Sequence, residues 1–221
     1  MFRMFLLLGS AALLPAALSA QSAILAGKIE GDTYFSATGE FSLPLPVLRE
    51  LGGTVTDTAN VVTFSDSYNT HLSIACFPQD ALQRWELETR GPRDYLLYFF
   101  TEFVLADFTR RFPGSSIESA RFVPELMGGA LIAYALLPGG SYFEAQANAL
   151  GAPPPAPVTA KRGTLLFVRN QHVFVLSTEL AERATQRTTY SATAEAENAR
   201  LTARLTELAG RLVFPAPAAR R

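Results

Sequence analysis

Two histidines, His71 and His172, and a single cysteine, Cys76, are the side chains best suited to ligate a metal or act as base or nucleophile near neutral pH. A zinc site needs three or four converging ligands. The two histidines are far apart in the chain and neither sits in a ligand-spaced motif. A serine hydrolase of the common kind shows Gly-x-Ser-x-Gly, which is missing here, although His71 or His172 could activate a serine brought to it by the fold. There is no Gly-x-Gly-x-x-Gly and no phosphate loop; Gly128-Gly129 and Gly139-Gly140 read as strand ends. Asp57, Asp66 and Asn69 are too scattered for a calcium loop. Asp57 and Glu125 read as ordinary loop carboxylates, because a glycosidase pair is defined by geometry rather than sequence. The residues therefore nominate no catalytic set, no metal ligands and no cofactor.

Cys76 lies in the run His71-Leu72-Ser73-Ile74-Ala75-Cys76-Phe77, where a strand would put Leu72, Ile74 and Cys76 on one face. It reads as a small buried hydrophobe, with a reactive thiol or an intermolecular bridge as the other reading. One cysteine allows no internal disulfide, so packing alone must hold the fold. Hydrophobic residues make up 48% of the 221 and charged residues 18%, enough apolar material for one substantial core. The net charge of −1, without clusters of Lys or Arg, argues against nucleic acid.

The N-terminus reads as a secretory signal peptide over residues 1–20. Arg3 supplies a short positive region, Met4 to Leu8 and Ala11 to Leu14 an apolar core interrupted only by Gly9 and Ser10, Pro15 a break, and Ala16, Ala17, Ser19 and Ala20 the small residues a peptidase requires. The apolar run is too short and too broken to span a bilayer. A periplasmic or secreted protein without a transmembrane anchor is expected, with one globular domain over 21–214 and a loose tail over 215–221.

Turn signals then divide the chain. Tyr34 to Ala37 and Glu40 to Leu43 flank Thr38-Gly39 as a hairpin, followed by strands over Thr54 to Asp57, Asn60 to Ser65 and His71 to Phe77. Gly91-Pro92 opens a helix reaching Arg111, whose apolar residues Tyr95, Leu96, Phe99, Phe100, Phe103 and Val104 cover most of its circumference. Such a helix should be nearly engulfed. Tyr95, Phe99 and Phe103 are the candidates for a weak ligand or partner surface beside it. Ser119 to Val123, Ala130 to Leu137 and Ser141 to Ala145 read as further strands, and Gly151 to Pro157 as a stiff exposed loop. Gly163 to Val168 and His172 to Leu176 form the clearest hairpin. Thr178 caps a short helix, Glu179 to Arg187, and Ser191 a longer one ending near Arg211 with Leu201, Leu205, Leu208 and Leu212 as a stripe. That stripe suits the domain's own sheet better than a coiled-coil seam.

The predicted fold class is thus α+β, an antiparallel sheet flanked by helices. Tyr34-x-Ser36-x-x-Gly39-x-Phe41-Ser42-x-x-Leu45-Pro46, the pair Arg162 to Phe167 and Val173 to Leu176, and the terminal helix ending in Leu212-Val213-Phe214 together resemble the PsbP-like superfamily, in its exported bacterial branch. The resemblance implies an α/β/α sandwich acting as an accessory or binding module, and carries over no catalytic residue. The expected function is a non-catalytic module of the bacterial cell envelope that binds a partner protein or a small apolar ligand. Two alternatives stand beside it: a hydrolase with His71 or His172 in a cleft beside an acid and a hydroxyl, and an oligomer joined through the Leu201–Leu212 stripe.

Overall fold

The long strands carry apolar residues at consecutive positions, and side chains alternate along a strand, so the sheet they form must have a core on each face. In the computed structural model, which describes residues 25–149, 158–186 and 189–216, seven antiparallel strands form that sheet. They are β4 (Thr54–Asp57), β5 (Val61–Ser65), β6 (His71–Pro78), β7 (Ser116–Val123), β8 (Ala130–Pro138), β9 (Thr159–Arg169) and β10 (His172–Glu179), in the order β4-β5-β6-β10-β9-β8-β7. A small sheet of β1 (Lys28–Glu30), β2 (Thr33–Phe35) and β3 (Ser42–Pro44) precedes it. The expected signal peptide and the proline-rich 151–157 segment lie outside the described residues, as does the end of the tail from 217 onward. Among the described residues no helix is long and apolar enough to cross a membrane.

One face packs against α5 (Ala194–Arg211), capped by Thr193. Leu201, Leu205 and Leu208 bury their side chains among Ile74, Leu165, Phe167, Phe174 and Leu176, with Leu212 closing the stripe. Gly163 makes this approach possible: a Cβ there would meet Leu201 Cβ and Leu205 Cδ1 at 3.0 Å. The leucine stripe is spent on the chain's own sheet, which removes it as the seam of an oligomer.

The other face carries α1 (Ala81–Phe99), a π-helical turn at Phe100–Leu105, and α2 (Ala106–Arg111). The helix begins well before Gly91-Pro92, at a capping box in which Asp80 accepts from Gln83 N and Gln83 accepts from Asp80 N. Gly91, at φ 76° and ψ 165°, is non-helical and sets a kink. Gly91-Pro92 does open a helical segment, but a more polar segment runs into it.

Three further expectations are corrected. Ser141 to Ala145 is not a strand: Ser141 Oγ accepts from Glu144 N and starts α3 (Tyr142–Ala149), as a serine at a helix entrance favours. Thr178 and Glu179 remain in β10, so the short helix shrinks to α4 (Glu182–Thr185). The terminal helix is capped by Thr193 rather than Ser191. The β9–β10 hairpin is tighter than expected, with only Asn170 and Gln171, at φ 50° and 60°, between the paired Arg169 and His172.

Candidate functional site

The helical layer on the second face is narrower than the sheet. α1 covers β8, β9 and part of β10, where Tyr95, Leu96, Phe99 and Phe100 pack on Leu131, Ala133, Leu166 and Val173. Beyond it the same face of β5 and β6 is only half-buried, although its reverse face, with Val62, Phe64, Ile74 and Cys76, is closed. The result is a groove of about 830 Å³ between sheet and helix, within the size range of small-molecule sites. Its helical wall is the π turn and α2, with Phe103, Val104, Phe108 and Phe112; its end wall is Gly140 to Tyr142 at the start of α3.

Register arranges the floor in rows. Arg162 pairs with Glu179 across β9 and β10, and the Leu72–Thr178 pairing of β6 and β10 sets His71 beside Glu179. This is a charged row. One step inward, Thr164, Ser177, Ser73 and Thr63 are successive cross-strand partners, a ladder of hydroxyls over four strands. The next row is apolar: Leu166, Val175, Ala75 and Val61. From the charged row to the apolar one is about 13 Å along the strands, at about 3.3 Å per residue.

In the charged row Glu179 is buried, while His71 and Arg162 are half-buried. Glu179, 1% exposed, accepts from Ser141 Oγ at 2.6 Å and from Tyr142 N at 3.0 Å. His71 stacks on Tyr142 with ring centroids 4.2 Å apart. Its Nδ1 is 3.8 Å from Glu179 Oε2, beyond hydrogen-bond reach. Burial, reinforced by the nearby Arg162 charge, pushes the His71 pKa down to about 4, so this is a contact of a neutral imidazole rather than a salt bridge. Arg162 is poorly satisfied. Its Nη2 lies 3.7 Å from Glu179 Oε2 and 3.4 Å from the Gly140 carbonyl, while its Nε is buried without a partner. Burial lowers its pKa; Glu179 opposes the shift and Arg111 adds to it. At the rim, Arg110 and Arg111 share one carboxylate, Asp107.

Of the three aromatic residues expected to offer a surface, Tyr95 is fully buried and its hydroxyl accepts from Gln79 Nε2 at 3.0 Å; it does not reach the groove. Phe99 is 4% exposed and shows an edge to the groove. Phe103, 49% exposed, stands at its rim and packs on Phe99 with centroids 4.8 Å apart. A π turn widens the helix at this point, a distortion that recurs beside functional sites. His172 is at the opposite end of the β6–β10 pair, its Nδ1 2.8 Å from the Asn170 carbonyl, and takes no part. Cys76 is buried on the α5 face, with its thiol pushed up to about 12 by burial and by Glu40 against a bond with Thr38.

His71 thus does lie beside an acid and a hydroxyl, but the bonds run the wrong way for nucleophile activation. Ser141 gives its proton to Glu179 and accepts from Glu144 N, so its first partner is the carboxylate, not the imidazole. Among the described residues, no three His, Cys, Asp or Glu side chains are grouped as a metal ion would require. Arg162, Glu179 and Ser141 carry no sequence motif; the available signal was the polar residues at alternate positions, Ser73 and Ser177, inside otherwise apolar strands.

No family model matches the chain, and no curated protein does. Among solved structures, the cyanobacterial PsbP (CyanoP) of Synechocystis sp. PCC 6803 is similar over 83% of this chain and 91% of its own, with a TM-score of 0.50 at 12% identity. A point mutant of the protein Mog1 (TM-score 0.47, 7% identity, 84% of this chain and 96% of its own) and the Saccharomyces cerevisiae Ran-binding protein Mog1p (0.46, 8%, 86% and 96%) are also similar. The sandwich is a PsbP-like α+β fold, as the opening hairpin, the β9–β10 pair and the terminal helix imply.

Proposed function

We propose that this protein, a PsbP-like fold with one sheet face left half covered, is an exported, non-catalytic binding module of the bacterial cell envelope, and that the groove is where it binds. The observation that carries the reading is the contrast across β5 and β6: closed packing on the α5 face, an open floor on the other. A floor that grades from charged to apolar suits a small ligand with an apolar body, or an apolar side chain presented by a partner protein. Export rests on the leader-like residues 1–20.

An uncharged apolar dye, N-phenyl-1-naphthylamine, tests the groove. Saturable fluorescence enhancement is expected with the folded domain, weakened at least tenfold in Phe103→Asp, which changes only a rim residue. Absence of saturable binding sinks the reading. Recovery of the protein from the periplasm or the medium with its N-terminus near Gln21 tests export; retention of residues 1–20 in the cytoplasm overturns it.

One observation favours a second reading, a hydrolase: His71, Glu179 and Ser141 meet at the groove's end. A serine-directed fluorophosphonate distinguishes the two. Labelling that disappears in Ser141→Ala favours hydrolysis, and an unlabelled folded protein favours binding alone.

A further inference from the structure

We propose that the groove selects an amphipathic carboxylic acid, its carboxylate held at Arg162 and its apolar body lying over Ala75, Val175 and Phe103; this rests on the binding-module reading above and specifies the ligand's head.

A guanidinium has five N–H donors and no acceptor, and a buried one left without partners is costly. Arg162 has a distant carboxylate, one long contact to a carbonyl, the Phe108 ring 5.9 Å away, and a buried Nε with no acceptor. Ser141 Oγ and Tyr142 N hold Glu179 where its Oε2 stays 3.7 Å from Arg162 Nη2, beyond hydrogen-bond reach. Yet Arg162 lines the groove and keeps 17% side-chain exposure, so an incoming acceptor has access to it. The planar fork favours an acceptor with two oxygens, which a carboxylate has. At the rim Arg110 and Arg111 both lean on Asp107 and Glu102 also lines the groove, so the rim adds no net charge and the head-group preference rests on Arg162. The far end excludes a wholly polar anion, since its floor is Val61, Ala75, Phe77 and Val175 under Phe103. A head group at the charged row and a chain running about 13 Å to the apolar row follow the strand direction.

Calorimetric titration of the purified protein with dodecanoate and with dodecanol is the test. Dodecanoate should bind about tenfold more tightly or better, the factor expected for one hydrogen bond to a charged group. Arg162→Met should lower dodecanoate affinity to that of dodecanol and leave dodecanol unchanged. Should Arg162→Met not fold, the head-group comparison on the native protein still decides, together with Arg111→Gln at the exposed rim, where a loss of about threefold is expected for the acid alone. Equal affinity for acid and alcohol overturns the carboxylate assignment and leaves the apolar groove standing. Failure of both to bind overturns the groove reading itself.

Discussion

Lys161 and Arg162 are adjacent cations on β9, and because strand residues alternate they face opposite sides of the sheet. Lys161 is fully buried on the α5 side, with Nζ 2.5 Å from Glu118 Oε2 and 3.0 Å from Glu197 Oε2. Glu197 in turn takes a two-pronged contact from Arg183, at 2.6 and 2.8 Å. Burial alone would raise the Glu197 pKa, but the bonds from Arg183 and Lys161 bring it below the usual range. Arg162, on the groove side, has no such shell. A charge that fixes a helix to a sheet is surrounded by partners, here Glu197 from the helix and Glu118 from β7. A charge at the edge of a groove keeps donors unspent, and those donors are where a ligand's acceptors belong.

The largest effect that could break this comparison is on stability. Lys161→Met leaves Glu118 and Glu197 without their shared cation and should cost about 3–5 kcal/mol, the usual range when one partner of a buried pair is removed. Arg162→Met should cost less than about 1 kcal/mol, because burial of that charge is incompletely repaid and Glu179 keeps Ser141 and Tyr142. Urea unfolding of the two variants checks both. Equal losses would mean that Arg162 is as much a structural tie as Lys161.

His71 gives the next effect, and a sign. Its folded pKa of about 4 lies below the ordinary value of 6.5, so between these pH values the unfolded chain binds more protons. Stability from this group is complete above pH 6.5 and declines as the pH falls toward 4, by about 3 kcal/mol in all. The groups facing His71 are Arg162, Glu179 and the Tyr142 ring. His71→Phe keeps the stack and removes the titration, so the variant should gain about 3 kcal/mol of stability relative to the native protein as the pH falls through that window. A constant difference from pH 7 to 4 would show that the imidazole is not held neutral.

Much of the sandwich was legible because strands announce themselves twice, by alternation and by the turns between them. Val62 and Phe64, Leu72, Ile74 and Cys76, and the leucines of α5 face where their spacing puts them. The first half of α1 was not legible: Ala81 to Arg90 is largely polar and exposed, and Gly91-Pro92 imitates a helix start. Ser141 misled in the opposite sense, since a cap and a strand start look alike when glycines precede both. The candidate site was legible only in part. Phe99 and Phe103 mark the helical wall, but the floor depends on cross-strand register, and nothing local in Arg162, Glu179 or His71 announces that antiparallel pairing sets them in one row. Tyr95 shows the limit of helical spacing, which groups it with Phe99 and Phe103 while the helix turns it into the core.

The smallest effect on stability sharpens the comparison most. Phe103→Ser removes a half-exposed ring at the rim, and a surface substitution of this kind should change unfolding free energy by no more than about 0.5 kcal/mol. Its neighbour Phe100 is fully buried in the same π turn, and Phe100→Ala should cost several times as much, about 3 kcal/mol or more. Binding should reverse the ranking between Phe103 and the core: Phe103→Ser weakens dye or acid binding at native stability, because the ring covers the apolar end of the groove without supporting the sheet beneath it. If Phe103→Ser instead destabilises the domain as Phe100→Ala does, the ring belongs to the core, and the groove loses the wall that makes it a site.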